Sequence, residues 1–290
     1  MQSTRLPSAL ADLDRLRAEL AGRRPAFFLD YDGTLTPIVE RPELARLAPA
    51  TREVLRRLAA RHPTVVVSGR GREDVERLVD LPELAYAGSH GFDIAGPASP
   101  GAAERAEGGP GGAPLRLEAA AEAEPAVAAL SRALEAELAG VPGAQVEPKR
   151  FSVAVHYRRL DPARLPAVEA VVDRLLAAHP GLRKTHGKMV WELRPDLDWD
   201  KGRAVLWILA ALGLDRPDVV PVYLGDDLTD EDAFRALAEP PRQSGGAAPR
   251  DRIGVGILVA EEPRETAARF VLRDPAEVRS FLEGFVDDGG

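Results

Sequence analysis

The 290-residue sequence contains no cysteine. Disulfide staples and thiolate chemistry, nucleophilic or metal-binding, are therefore excluded. It also contains no asparagine, and only four lysines (149, 184, 188 and 201) against thirty-four arginines, the remainder of the 38 basic residues. A coding bias would produce that ratio. Against such a bias, a retained lysine points to a site needing a compact, hydrated ammonium rather than a planar fork. Positive charge is in deficit, with a net charge of -8, which disfavours nucleic acid or an anionic membrane as partner. No apolar run approaches a membrane span, and residues 1–24 lack the apolar core of an export signal. The expectation is a cytoplasmic protein, monomeric, with neither nucleic acid nor membrane as partner.

What is present is an ordinary globular composition, 45% hydrophobic and 29% charged, in a chain long enough for about two domains. The pattern is organised around residues 27–36. Phe27, Phe28 and Leu29 read as a buried strand. The strand ends in Asp30 and Asp32, two residues apart, then Gly33. Carboxylates leaving the carboxyl end of a central strand sit where open α/β sheets bind ligands. They suit a nucleophile, an acid/base partner and a metal site in one loop. Two turn-forming Asp residues before a glycine are the plainer alternative.

Around this loop the chain alternates strand and helix. Residues 6–20 carry leucines at helical spacing and predict an amphipathic helix. Helices are expected over 51–61 and 73–79, with strands at 64–67 and 84–92, a cadence that argues for a parallel sheet. Residues 96–114 hold six Gly and four Pro and read as a linker or mobile loop. Beyond it the grammar changes. Helices are predicted over 122–138 and 162–178, each followed by a strand pair (144–147 with 151–158, and 182–184 with 189–193), which is an α+β module. The first cadence then returns: helix 201–212, strand 219–224, a helix from Thr229, strand 253–259 and helix 275–286. Residues 239–252 form a second Pro/Gly-rich loop. One sheet domain interrupted by an insert of roughly a hundred residues accounts for the order.

Three further stretches carry polar groups at strand or helix ends. Ser68 and Gly69 follow the second strand, where a hydroxyl and bare N–H groups can hold a phosphate oxygen or simply open a helix. Lys201 opens a helix, an unfavourable place for a cation unless carboxylates or phosphate face it. Gly225-Asp226-Asp227 ends a strand. Thr229 reads as the N-cap of the next helix, with Asp230, Glu231 and Asp232 as dipole-favoured first-turn charges, so Asp226 and then Asp227 are the stronger site candidates. If Asp30, Asp32 and Asp226 lay within ~5 Å of one another, each pair would repel by roughly 3 kcal/mol at an effective dielectric of ~20. The total approaches a whole domain's stability. Either a carboxyl is protonated or a cation sits among them; all-oxygen donors without Cys favour a hard ion, Mg²⁺ before Ca²⁺ because an anionic substrate can complete its octahedron.

Asp30-x-Asp32-Gly33-Thr34, Ser68-Gly69, Lys201 and Gly225-Asp226-Asp227 resemble the four ordered motifs of the haloacid dehalogenase superfamily. The resemblance implies a Rossmann-like doubly wound α/β core (residues 24–96 and 196–290), preceded by an N-terminal helix (1–23) and interrupted by an α+β cap (97–195). It implies Asp30 as nucleophile, Asp32 as acid/base, Ser68, Gly69 and Lys201 on the phosphoryl group, and Mg²⁺ on Asp30, the Asp32 carbonyl and Asp226, with Asp227 as a weaker candidate. Gly88-Ser89-His90-Gly91, Glu147-x-Lys149-x-x-Ser152-x-x-x-His156-Tyr157-Arg158, Gly187-x-x-x-x-Glu192-x-Arg194-Pro195 and Gly225 through Phe234 are similar to trehalose-6-phosphate phosphatases. His90, Gly91, Lys149, His156, Arg158, Lys188 and Glu192 are then expected to contact the sugar phosphate. Lys184 falls on no motif and is expected at the surface, and Trp191 in cap packing. A capped phosphatase for another sugar phosphate, such as sucrose 6-phosphate, and a silent regulatory module of the same fold are the alternatives.

Overall fold

A computed structural model describes residues 6–39, 41, 44–97, 114–187, 189–238 and 254–286. Lys188, most of the 96–114 stretch and all of the 239–252 stretch lie outside them. The chain runs through α1 (Leu13–Leu20), β1 (Arg24–Leu29), α2 (Pro49–Ala59), β2 (Thr64–Val67), α3 (Arg72–Val79), β3 (Ala85–Gly88), β4 (Asp93–Gly96) and β5 (Leu115–Glu118). It continues with α4 (Glu124–Leu138), β6 (Gln145–Pro148), β7 (Val153–His156), α5 (Leu165–Ala177), β8 (Leu182–Gly187) and β9 (Val190–Pro195). The alternation resumes with α6 (Lys201–Ala211), β10 (Val219–Gly225), α7 (Asp230–Ala238), β11 (Val255–Val259), β12 (Phe270–Leu272) and α8 (Pro275–Glu283). None of the described helices is long and apolar enough to cross a membrane. The chain divides into two compact units, 1–117 with 199–290, and 118–198.

In the first unit the described strands form an eight-stranded sheet, ordered β12-β11-β10-β1-β2-β3-β4-β5. Pairing is parallel from β12 through β3 and turns antiparallel at β4. β1 is central and buried on both faces, which is why Phe27-Phe28-Leu29 reads as an unbroken apolar run. Phe27 and Leu29 pack in one layer with residues of α1, α2, α3 and α8. Ala26 and Phe28 pack in the other with α6 and α7. The chain goes from β1 outward through β2 and β3, and returns to β1's other side as β10. The order therefore reverses between β1 and β10, the kind of crevice where open α/β sheets bind ligands beyond their carboxyl ends.

Several expectations change. The helix predicted from residue 6 forms only over Leu13–Leu20. Pro7 and Ser8 instead continue the sheet edge, with Val271 N–H donating to Pro7 O at 3.0 Å and Ala9 N–H to Val271 O at 2.9 Å. Residues 84–92 are not one strand. β3 stops at Gly88, Ser89–Gly91 form a tight 3₁₀ turn, and β4 returns antiparallel. β5 joins the first unit's sheet edge, so the division between units falls after Leu117 rather than near residue 97. β12 has no counterpart in the sequence reading.

The second unit is a four-stranded antiparallel sheet, ordered β6-β7-β9-β8. Val153, Val155, Trp191 and Leu193 pack with Leu130, Leu134, Val168 and Val172 of α4 and α5. Strand alternation puts Glu147, Ala154, Glu192 and Thr185, a single row across all four strands, on the opposite face. Lys184 is not a free surface residue as expected. Its side chain is 15% exposed between Glu169 at 2.8 Å and Asp173 at 2.5 Å.

Candidate active site

β1 and β10 deliver the first two carboxylates side by side. Leu29 pairs with Leu224, and Asp30 N–H donates to Leu224 O at 2.9 Å. Gly33 then turns the loop at φ +85°, against Asp226: a Cβ built there would lie 2.2 Å from Asp226 Oδ2. Only a glycine allows both the left-handed turn and that approach. One carboxylate oxygen from each of Asp30, Asp226 and Asp230 lies within 4.8 Å of the other two.

The local pattern predicts Asp230 as a solvated first-turn charge of α7. It is instead wholly buried. Its Oδ1 accepts from Lys201 Nζ at 2.7 Å and the Tyr223 hydroxyl at 2.6 Å, and its Oδ2 from Asp227 N–H at 3.0 Å. Asp227 does the capping instead. Its Oδ1 accepts from Thr229 N–H, Thr229 Oγ1 and Asp230 N–H. Lys201, first residue of α6, is 2% exposed and donates from Nζ to Asp30 Oδ1 at 2.8 Å as well. The cation at a helix start is thus explained by two carboxylates facing it.

The electrostatics follow from this crowding. Burial pushes the Asp30 carboxyl well above its ordinary range, against the pull of Lys201, and Asp230 and Asp226 push it further. Burial, Asp230 and Asp227 raise Asp226 to about 7. Asp227 is held low: burial opposes this, but Lys201 and the Thr229 hydrogen bond outweigh it. Burial works against the Lys201 charge too, yet Asp230 and Asp30 hold it well above the usual lysine value. Among the described residues no hydrogen bond or ion pair reaches the Asp226 carboxylate. Both oxygens of Asp230 are engaged by donors. Asp30 and Asp226 therefore have the free acceptor capacity, and a hard cation suits them.

Asp32 is not one of the trio. Its carboxylate takes a two-pronged fork from Arg70, Nε to Oδ2 and Nη2 to Oδ1, both at 2.7 Å. Ser68 is buried at the end of β2 and its Oγ accepts from Arg70 N–H at 3.1 Å. His90 N–H donates to Ser68 O at 2.9 Å, and Ser89 N–H to Arg70 O at 2.7 Å, so the two loops are stitched together. Ser89 and His90 are successive non-glycine residues with φ of 49° and 56°. Backbone strain of this kind persists only where surrounding structure enforces it. The His90 ring lies against Gly69, and Gly91 O accepts from Trp199 Nε1 at 2.9 Å.

The remaining candidates lie in the second unit. Glu192 Oε1 accepts from Ser152 Oγ at 2.9 Å and from Lys149 Nζ at 3.4 Å, and His156 Nε2 lies 2.7 Å from Glu147 Oε2. Arg158 is exposed past the end of β7. In the sequence Asp230 reads only as a first-turn charge, and Tyr223 and Arg70 carry no assigned role. Tyr223 offers a signal: a lone hydroxyl in a buried apolar strand needs a partner.

Superposition on solved structures first gives the class. A haloacid dehalogenase-like hydrolase from Bacteroides thetaiotaomicron matches with a TM-score of 0.57 at 16% identity, over 90% of this chain and 99% of that one. The C-terminal domain of a trehalose-6-phosphate phosphatase from C. albicans matches with 0.71 at 22%, over 99% of each. The fold is haloacid dehalogenase-like. Sequence comparison goes further. Residues 28–276 match the trehalose-phosphatase family model. Trehalose 6-phosphate phosphatase RA3 of Zea mays is 43% identical over 288 residues, 98% of this chain and 76% of the relative. The chain belongs to the trehalose-phosphatase family.

Proposed function

We propose that the protein hydrolyses trehalose 6-phosphate to trehalose and phosphate, with Asp30 as the nucleophile. The observation that carries this is the buried Lys201 ammonium, 2.8 Å from Asp30 Oδ1 at the point where the sheet order reverses, in a member of this family. Phosphate monoesters are among the slowest bonds to hydrolyse unaided. Attack by an Asp30 oxygen forms an aspartyl-phosphate and divides the reaction into two easier steps. Asp32 gives a proton to the departing sugar oxygen and afterwards takes one from the attacking water. Ser68 Oγ, the backbone N–H of Gly69 and Lys201 Nζ orient the phosphoryl group and offset its charge.

Asp30, Asp226 and the main-chain carbonyl of Asp32 are the groups that would hold Mg²⁺, with Asp227 kept to its capping position. A bound Mg²⁺ supplies charge neutralisation on the phosphoryl oxygens. Glu192, Lys149 and His156, with Arg158, Lys188, His90 and Gly91, are assigned to the sugar phosphate, since carboxylate and ammonium groups match sugar hydroxyls as acceptors and donors. We take the protein to act in the cytoplasm as a monomer.

Phosphate release from trehalose 6-phosphate, with Mg²⁺ and with chelator, tests this. Activity should require the metal and exceed that on glucose 6-phosphate and sucrose 6-phosphate. Asp30→Asn should lower turnover by on the order of 10⁴-fold or more while the protein still folds. Wild-type kinetics in that variant would end the proposal.

A further inference from the structure

We propose that Arg70 is the positioning residue for Asp32: it sets the direction of that carboxylate and so governs proton delivery to the departing sugar oxygen. This rests on the reading of Asp32 as proton donor given above.

The asymmetry of the pair points to it. The Asp32 side chain is 42% exposed, whereas that of Arg70 is 10% exposed. An exposed Asp on a tight loop has several rotamers open to it. Arg70 has few. Its backbone N–H donates to Ser68 Oγ at 3.1 Å, and its carbonyl accepts from Ser89 N–H at 2.7 Å. Its third guanidinium nitrogen donates to Asp74 Oδ2 at 3.1 Å, and the guanidinium lies 5.4 Å from the Tyr31 ring centroid. The fixed partner is the cation and the movable one is the carboxylate.

The fork engages both oxygens of Asp32, and bidentate pairing of this kind fixes the carboxylate plane as well as its position. Delivering a proton requires one oxygen to leave the fork while the other stays on it. Arg70 then acts as a pivot. The chemistry balances: the bond from an Asp30 oxygen to phosphorus forms, the bond from phosphorus to the sugar oxygen breaks, and that oxygen takes the proton from Asp32. In the second step water attacks phosphorus, its proton goes to the Asp32 carboxylate, and Asp30 is released with phosphate.

Leaving-group chemistry separates a proton-delivery role from a structural one. A sugar alkoxide needs a proton as it departs, and a nitrophenolate does not. The measurement is rapid-quench formation of phosphoenzyme by the full chain with Mg²⁺, from trehalose 6-phosphate and from p-nitrophenyl phosphate. Arg70→Gln should slow the first by about 10²-fold and the second by less than about threefold. Arg70→Lys should recover only part of the loss, since a point charge cannot reproduce the fork. Equal slowing on both substrates, or no slowing, would overturn the proposal. Asp32→Asn is run beside it. If Asp32→Asn fails to discriminate between the two leaving groups, the reading of Asp32 falls. If it discriminates and Arg70→Gln does not, only the role of Arg70 falls. Should Arg70→Gln not fold, Arg70→Lys is read by the same criterion.

Discussion

At the scale of single residues, the site depends on one missing side chain as much as on those present. Gly33 carries φ +85° and abuts Asp226. Gly33→Ala adds a methyl group where a carboxylate already lies, in a conformation costing an L-residue about 1–2 kcal/mol. It should destabilise by at least that amount in urea unfolding and raise the Mg²⁺ concentration needed for half-maximal activity. An unchanged metal requirement would mean that Asp226 does not hold the ion. Asp30, Asp226 and Lys201 are legible as candidates in the sequence because each stands at a strand or helix end, where a charged residue is conspicuous in local spacing. Arg70 is not, because it is one of thirty-four arginines and its partner lies 38 positions away. Asp230 misleads for a different reason. Thr229-Asp230-Glu231-Asp232 satisfies every local rule for a helix start, and only the tertiary fold brings Lys201 and Tyr223 to it.

At the scale of elements, the turn from β10 into α7 is clamped from outside. Arg264, in the connection between β11 and β12, donates from Nη2 to Asp227 O at 2.9 Å and to Glu231 Oε1 at 3.3 Å. Glu231 is 3% exposed, and its other oxygen accepts from Ala267 N–H at 2.8 Å. Arg264→Met removes the charged donor and leaves the buried Glu231 carboxylate with one donor fewer, a change costing roughly 1–3 kcal/mol. The expected result is a lower Tm and weaker Mg²⁺ binding by calorimetry, with Asp30 untouched. Binding of wild-type strength would mean that the turn holds its shape unaided. The strands flanking this connection show how far pattern reading reaches. β11, an apolar run, is legible nearly whole. β12 spans three residues, too few for alternation to register. The 84–92 run reads as one strand because its 3₁₀ turn is built from Ser89 and His90, whose left-handed backbone no local signal announces.

For the whole molecule, the buried acids set a direction for stability against pH. Asp226 is raised from its ordinary value of 3.8 to about 7, and Asp30 is raised as well. In the metal-free protein the folded state therefore holds more protons than the unfolded state between about pH 4 and pH 7. Stability must fall as pH rises through that window. Asp227 is shifted the opposite way, and its effect is confined to pH below its ordinary value. Lys201 titrates far above the window. Calorimetry with chelator should show Tm falling by several degrees from pH 4 to pH 7, roughly 2–4 °C per kcal/mol for a chain of this size. Saturating Mg²⁺ should flatten the curve if the proposed site holds it, since a cation between Asp30 and Asp226 would supply the missing counter-charge. Identical curves with and without the ion would contradict that placement.

The reversal of sheet order beside β1 has a consequence for biosynthesis. Asp30 is made early, but its neighbouring strand β10 and acidic companions come only after residue 218. A ribosome must add about 190 residues beyond β1 before that central strand gains its second flank. Until then the nascent polypeptide carries a half-paired apolar ribbon, and chaperone occupancy should drop sharply once the segment around position 230 clears the exit tunnel.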